Sequence, residues 1–122
     1  MKIMTFLALF GLLSAAPATE ESRAFIELDT DDELTTITAK FTNATTGDVS
    51  YDYLLTVTKQ GPNGELSSAQ GGHFSAAAGE TVTLSSSSVN FAPADAIELT
   101  LEVLNADDKV LYRDRWHRAP EK

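Results

Sequence analysis

The chain has 122 residues, 43% of them hydrophobic and 22% charged, and it contains no cysteine. That length suits one domain with a single core. Eighteen acidic residues stand against nine basic ones, for a net charge of -9. This argues against a duplex nucleic-acid partner, because such binding is driven by Lys and Arg releasing counterions from phosphate. The lack of Cys excludes disulfides, thiol redox chemistry, Cys nucleophiles and thiolate-bound metals.

Met1-Lys2 is a short basic start, and Ile3 to Leu13 is almost wholly apolar. Eleven residues are too few to cross a bilayer core, which needs about 20. Ala16-Pro17-Ala18 supplies the small-x-small pattern of a signal-peptidase site. The expected leader is therefore residues 1–18, with cleavage after Ala18. Residues 19–122 are then expected to form a single domain with no membrane span, exported to the periplasm or beyond. Its net charge is -10, since Lys2 leaves with the leader. An exported domain of this size without disulfides depends on its core and hydrogen bonds alone.

Period-two alternation then recurs along the chain and predicts seven strands. Ala24, Ile26 and Leu28 share a face of the first strand, and Ile37, Ala39 and Phe41 share a face of the second. Val49, Tyr51, Tyr53, Leu55 and Val57 line one face of the third. Leu66 to Phe74 is a weaker, Gly-interrupted strand suited to a sheet edge. In the fifth, inward parity switches from Val82 and Leu84 to Val89 and Phe91, which predicts a bulge or break within Ser85 to Ser88. The sixth has Ile97, Leu99, Leu101 and Val103 inward, with Glu98, Thr100 and Glu102 outward. The seventh is expected over Lys109 to His117, with Val110, Tyr112 and Trp116 on its inner side and a frayed tail from Arg118. Turn chemistry separates these segments, as in Gly61-Pro62-Asn63-Gly64 and Ala92-Pro93-Ala94-Asp95. The fold expected is all-β, an immunoglobulin-like sandwich of about seven antiparallel strands. A small closed barrel is the alternative.

No enzyme motif stands out. Asp29, Asp31 and Glu33 alternate like calcium ligands, but Leu34 and Lys40 occupy the positions where an EF-hand needs Gly and Glu. They read as an acidic hairpin loop. His73 and His117 lie on different strands with no Cys to complete a zinc site. The Ser run lacks a nucleophile elbow and reads as the solvent face and bulge of a strand. Asn43-Ala44-Thr45 matches a glycosylation sequon and reads as a turn. No metal or other cofactor is expected. The basic residues are the uneven feature: Lys109, Arg113, Arg115 and Arg118 all fall in the last 14 residues. On a strand, Lys109, Leu111, Arg113, Arg115 and His117 point one way, which makes a basic stripe on an acidic body. Pairing of Arg113 and Arg115 with Glu98 and Glu102 across a hairpin is the simpler reading of the same stripe.

The segment Val49 to Trp116 resembles the curli-fibre chaperones, the CsgC/CsgH-type family. The resemblance is carried by Lys59-Gln60-Gly61-Pro62-Asn63-Gly64, by Ser88 to Asp95, by the alternating strand Ile97 to Val103, and by Arg113-Asp114-Arg115-Trp116. It implies a periplasmic immunoglobulin-like domain that inhibits premature amyloid formation by a curli-type subunit through transient, partly electrostatic contact. Where some members carry Cys-x-Cys on the third strand, this chain has Val49-Ser50-Tyr51, so the resemblance is to the Cys-free branch. It implies a partner-binding role for Lys59, Arg113 and Arg115. Lys109 and Arg118 join them by strand position alone. The expected state is a monomer. A structural or adhesin-like module associated with surface fibres is the alternative function.

Overall fold

The computed structural model describes residues 21–120. The leader expected over residues 1–18, with its cleavage point at Ala18, lies outside the described residues. Seven strands follow in chain order: β1 (Arg23–Asp31), β2 (Leu34–Thr42), β3 (Val49–Gly61), β4 (Gly64–Ala76), β5 (Thr81–Asn90), β6 (Ala96–Leu104) and β7 (Val110–Arg118). All pairings are antiparallel. One sheet has the order β1-β2-β5 and the other β4-β3-β6-β7. The two sheets stay separate, so the architecture is the immunoglobulin-like sandwich and not a closed barrel.

Alternation explains the core. Ile37, Ala39 and Phe41 of β2 face Leu55 and Val57 of β3 and Leu99, Leu101 and Val103 of β6, all essentially sealed from solvent. Facing rows of this kind are the main driving force for folding, at roughly 25 cal/mol per Å² of apolar surface removed from water. Phe41 is the hub between the sheets. Its ring lies 5.9 Å from Tyr51, 5.4 Å from Phe74 and 5.2 Å from Tyr112, with tilted or edge-on geometry. It therefore contacts β3, β4 and β7 at once, through the gap that an inter-sheet disulfide spans in antibody domains. Burial, the neighbouring Tyr112 charge and a hydrogen bond with Tyr112 raise the pKa of Tyr51 above that of a free tyrosine.

Asn43 closes the end of β2. It is fully buried. Its side-chain amide donates to the carbonyls of Gly47, Ala76 and Ala77, and its Oδ1 accepts from the Thr45 N–H and hydroxyl. The sequon is thus a turn, as expected from sequence, and one side chain ties the β2–β3 loop to the β4–β5 connection.

Several strand expectations need correction. The β5 irregularity lies just before the Ser run and not within it: Thr83 pairs with Lys40 and Ser85 with Ala39, so Leu84 is the extra residue. As a result Ser85 and Ser87 oppose Ala39 and Ile37 and turn toward the core, not to solvent. The Ser87 hydroxyl is buried with no hydrogen-bond partner. A second bulge lies in β7, where Leu104 pairs with Val110 and Val103 with Tyr112, leaving Leu111 extra. Val110 thereby joins Leu104 on the outer face and not Tyr112 on the inner one. β4 is also longer than its composition predicts, with 13 unbroken pairs to β3. The acidic loop contracts to a two-residue turn, because Asp31 and Leu34 already pair and only Asp32, at φ 58°, and Glu33 remain between them.

Candidate functional site

The candidate face is the outer surface of the four-stranded sheet. Register sets its rows: Gly71, Leu54, Glu102 and Arg113 lie side by side across the strands, followed by Ala69, Thr56, Thr100 and Arg115, and then Ser67, Thr58, Glu98 and His117. The β4 half is small and uncharged, and the β7 half is charged.

Arg113 and Arg115 are together on this face, 51% and 63% exposed. Each is also paired. Arg113 donates through Nε and Nη2 to one oxygen of Glu102, at 3.1 and 2.7 Å, and Arg115 Nη2 lies 3.0 Å from Glu98. The hairpin pairing read from sequence is therefore formed. The guanidinium groups keep donors free while part of their charge is neutralised, and exposed pairs of this kind contribute only about 0 to 1 kcal/mol each. They are available to an acidic partner that can compete with two glutamates.

The other three candidates stand elsewhere. Lys59 continues the parity of Leu55 and Val57 and points inward at the end of the sandwich. Its ammonium donates to the Asn90 carbonyl at 3.0 Å and lies 4.0 Å from Asp95. Arg118 continues the parity of Tyr112 and Trp116. Its guanidinium donates to the carbonyls of Ala92 and Asp95. Far from fraying, Arg118 ends β7 on a fixed contact. Together Lys59 and Arg118 clamp the turn between β5 and β6, whose own brace is the buried Asp95 accepting from the Ala92 N–H. Gly61 packs against that carboxylate so closely that a Cβ there would overlap it. Lys109 precedes β7 and closes the β6–β7 turn: its carbonyl accepts the Asn105 N–H, and its own N–H donates to the Asn105 side-chain Oδ1. So the structure brings together Arg113 and Arg115 with His117, and separates them from Lys59, Lys109 and Arg118.

The histidines form no shared site. His73 on β4 and His117 on β7 occupy opposite edges of the sheet. His73 Nδ1 meets its cross-strand neighbour Asp52 at 2.9 Å, in the open. His117 borders a shallow, open groove of about 310 Å³ with Thr58, Gln60 and Glu98. Among the described residues no side-chain hydrogen bond links it to them. Nor do three His, Asp or Glu side chains converge among the described residues as a metal would require.

Sequence reasoning missed one residue that matters to the architecture. Asp114 lies on the inner side of β7 between Tyr112 and Trp116, and its Oδ2 accepts the Ile26 N–H of β1 at 2.9 Å. A charged residue interrupting an apolar row was the available signal.

Comparison with known proteins places this geometry. The fold is similar to that of the E. coli curli protein CsgC, with a TM-score of 0.68 at 18% identity over 79% of this chain and 98% of that one. It is also similar to R. palustris CsgH, with a TM-score of 0.57 at 22% identity over 82% of this chain and 93% of that one. A Bacteroides uniformis beta-glucuronidase aligns with a TM-score of 0.54 at 17% identity, over 80% of this chain but only 13% of its own. The two curli proteins are thus matched along nearly their whole length and the glycosidase over one domain-sized piece. No family model and no curated protein sequence matches the chain.

Proposed function

We propose that this chain is a periplasmic chaperone of the curli type, which delays amyloid assembly of a fibre subunit by transient contact and performs no covalent chemistry. The observation that carries the reading is the end-to-end structural match to CsgC and CsgH, together with a sequence resemblance in the same direction. Arg113 and Arg115 supply the electrostatic part of the contact. They sit on the exposed face, half-neutralised by Glu102 and Glu98. Binding through them is weak and salt-sensitive, because the net negative body opposes an acidic client, while the arginine attraction acts only near contact and is screened beyond a Debye length of about 8 Å. That suits a chaperone acting at low stoichiometry on early species, where fibril growth proceeds by strand addition.

The test adds purified protein, at a small molar fraction, to a fibrillating curli-type subunit and follows thioflavin fluorescence. The expected result is a lengthened lag that shortens again with Arg113→Glu and Arg115→Glu together. A lag unchanged by the unmodified protein rejects the chaperone reading. A lag lengthened equally by the double variant rejects only the arginine contact.

A further inference from the structure

A sandwich of two open sheets has four edge strands, and edges are templates for unwanted pairing unless blocked. Three of the four are blocked here. β1 carries Arg23, Glu27, Asp29 and Asp31, and its Ile26 N–H is capped by Asp114. β7 has a bulge at Leu111 and carries Arg113, Asp114, Arg115 and Arg118. β5 has its bulge at Leu84, which twists the strand locally. β4 has no bulge, and no charged residue between Leu66 and Gly72. It is 13 residues long, pairs with β3 without a register shift, and contains no Lys, Arg or Pro. Its titratable residues are Glu65 and His73 alone.

Backbone geometry gives the free edge its donors. The two-residue turn Pro62-Asn63 makes Gly61 and Gly64 the closing hydrogen-bonded pair, and bonded and non-bonded pairs then alternate along an antiparallel ladder. Glu65, Ser67, Ala69, Gly71 and His73 consequently turn N–H and C=O away from β3. All five are exposed.

The side chains specify what fits. The outer row Ser67, Ala69 and Gly71 is small and offers no steric bar. The inner row at this edge is Leu66, Ser68, Gln70, Gly72 and Phe74. β5 leaves it poorly covered: Leu66 is 37% exposed, and Ser68 and Gly72 are exposed as well. One side-chain hydrogen bond, Ser85 to Gln70 at 2.7 Å, crosses from β5 to β4. On the same face of β5 the Ser87 hydroxyl is buried without a partner. This strip of hydroxyl and amide groups matches a strand bearing hydroxyl and amide side chains, which pair across strands. The acidic body disfavours an acidic one.

We infer that β4 is a strand-addition site, and that its occupant is an extended, non-acidic segment of another polypeptide rich in Ser, Gln and Asn. The inference rests on the chaperone reading only in taking such a segment to belong to the client. In that case β4 gives the backbone contact, while Arg113 and Arg115, on the opposite edge of the same sheet, act on the approach.

Amide hydrogen exchange on the full chain tests it, with an uncharged twelve-residue Ser/Gln/Asn peptide as probe. Saturating peptide is expected to slow exchange at Ser67, Ala69 and Gly71 by about tenfold or more and to leave β7 amides unchanged. Ala69→Pro, which deletes an N–H that β3 does not use, should abolish that protection while the far-ultraviolet spectrum is kept. Absence of protection at these amides overturns the inference, as does protection that appears with protein concentration and no peptide, since the occupant is then a second copy. The two readings separate cleanly. Peptide protection on β4 with an unaltered client lag keeps the strand site and rejects the chaperone. A lengthened lag with no protection on β4 does the reverse.

Discussion

The two sides of the sandwich are closed by different means. On the β1/β7 side, Asp114 reaches from one sheet to bond the Ile26 N–H of the other, between Tyr112 and Trp116. On the β4/β5 side, the sheets meet through Gln70 and Ser85, with an unpartnered Ser87 hydroxyl nearby. The lesson is that charge and apolar bulk are concentrated at the seam that must stay shut, and small polar residues at the seam that offers its backbone. The uneven distribution of arginines along the chain is the same asymmetry seen in sequence.

The most disruptive way to erase this difference is Phe41→Ala. The ring touches Phe74 toward one seam and Tyr112 toward the other, so its loss should loosen both and cost about 3–5 kcal/mol. Urea unfolding measures it. A loss below about 1 kcal/mol would show that the hub is not needed to join the sheets. Asp114→Ala attacks the shut seam alone. It leaves the Ile26 N–H without its acceptor and should cost about 1–3 kcal/mol, with faster amide exchange at Ile26 and unchanged exchange in β4. Equal acceleration on both sides would contradict the seam assignment.

Alkaline titration probes the region between the seams. The pKa of Tyr51 is raised in the folded chain, so above about pH 10, the ordinary tyrosine value, the unfolded chain gives up a proton that the folded chain keeps. Stability is fully present below that pH and falls as the pH climbs toward the folded pKa. Tyr51→Phe should flatten this decline, and a decline of equal steepness in the variant would assign it to other groups. The smallest effect is expected at the open seam. Ser87→Ala removes a buried hydroxyl that has no partner, so stability should stay level or rise by up to about 1 kcal/mol. A clear loss would mean that the hydroxyl is satisfied in solution.

Much of the fold was legible because the alternation of β2, β3 and β6 is uninterrupted and these strands lie in the sheet interiors, where parity and burial coincide. The bulges at Leu84 and Leu111 were not legible in position, because a bulge is fixed by the register of the partner strand. β4 was read short because Gly, Ser and Ala carry little strand preference of their own. Its length comes from β3. Among the candidate site residues, Arg113 and Arg115 were placed correctly on the outer face. Lys59, carried over from the resemblance, and Arg118, added by strand position, stand apart from them, and parity explains why: the alternation that turns Val57 and Trp116 inward turns their next alternate residues inward too.

Asn43 makes folding and sugar attachment mutually exclusive. Its amide nitrogen is enclosed and already committed to three carbonyls, so an oligosaccharide could be added only before β2 and β3 dock. In a host with N-linked glycosylation, chains that close early would emerge bare, and decorated chains would lack the tie between their loops. The ratio of bare to decorated product then becomes a clock for closure of the sandwich, read from a gel.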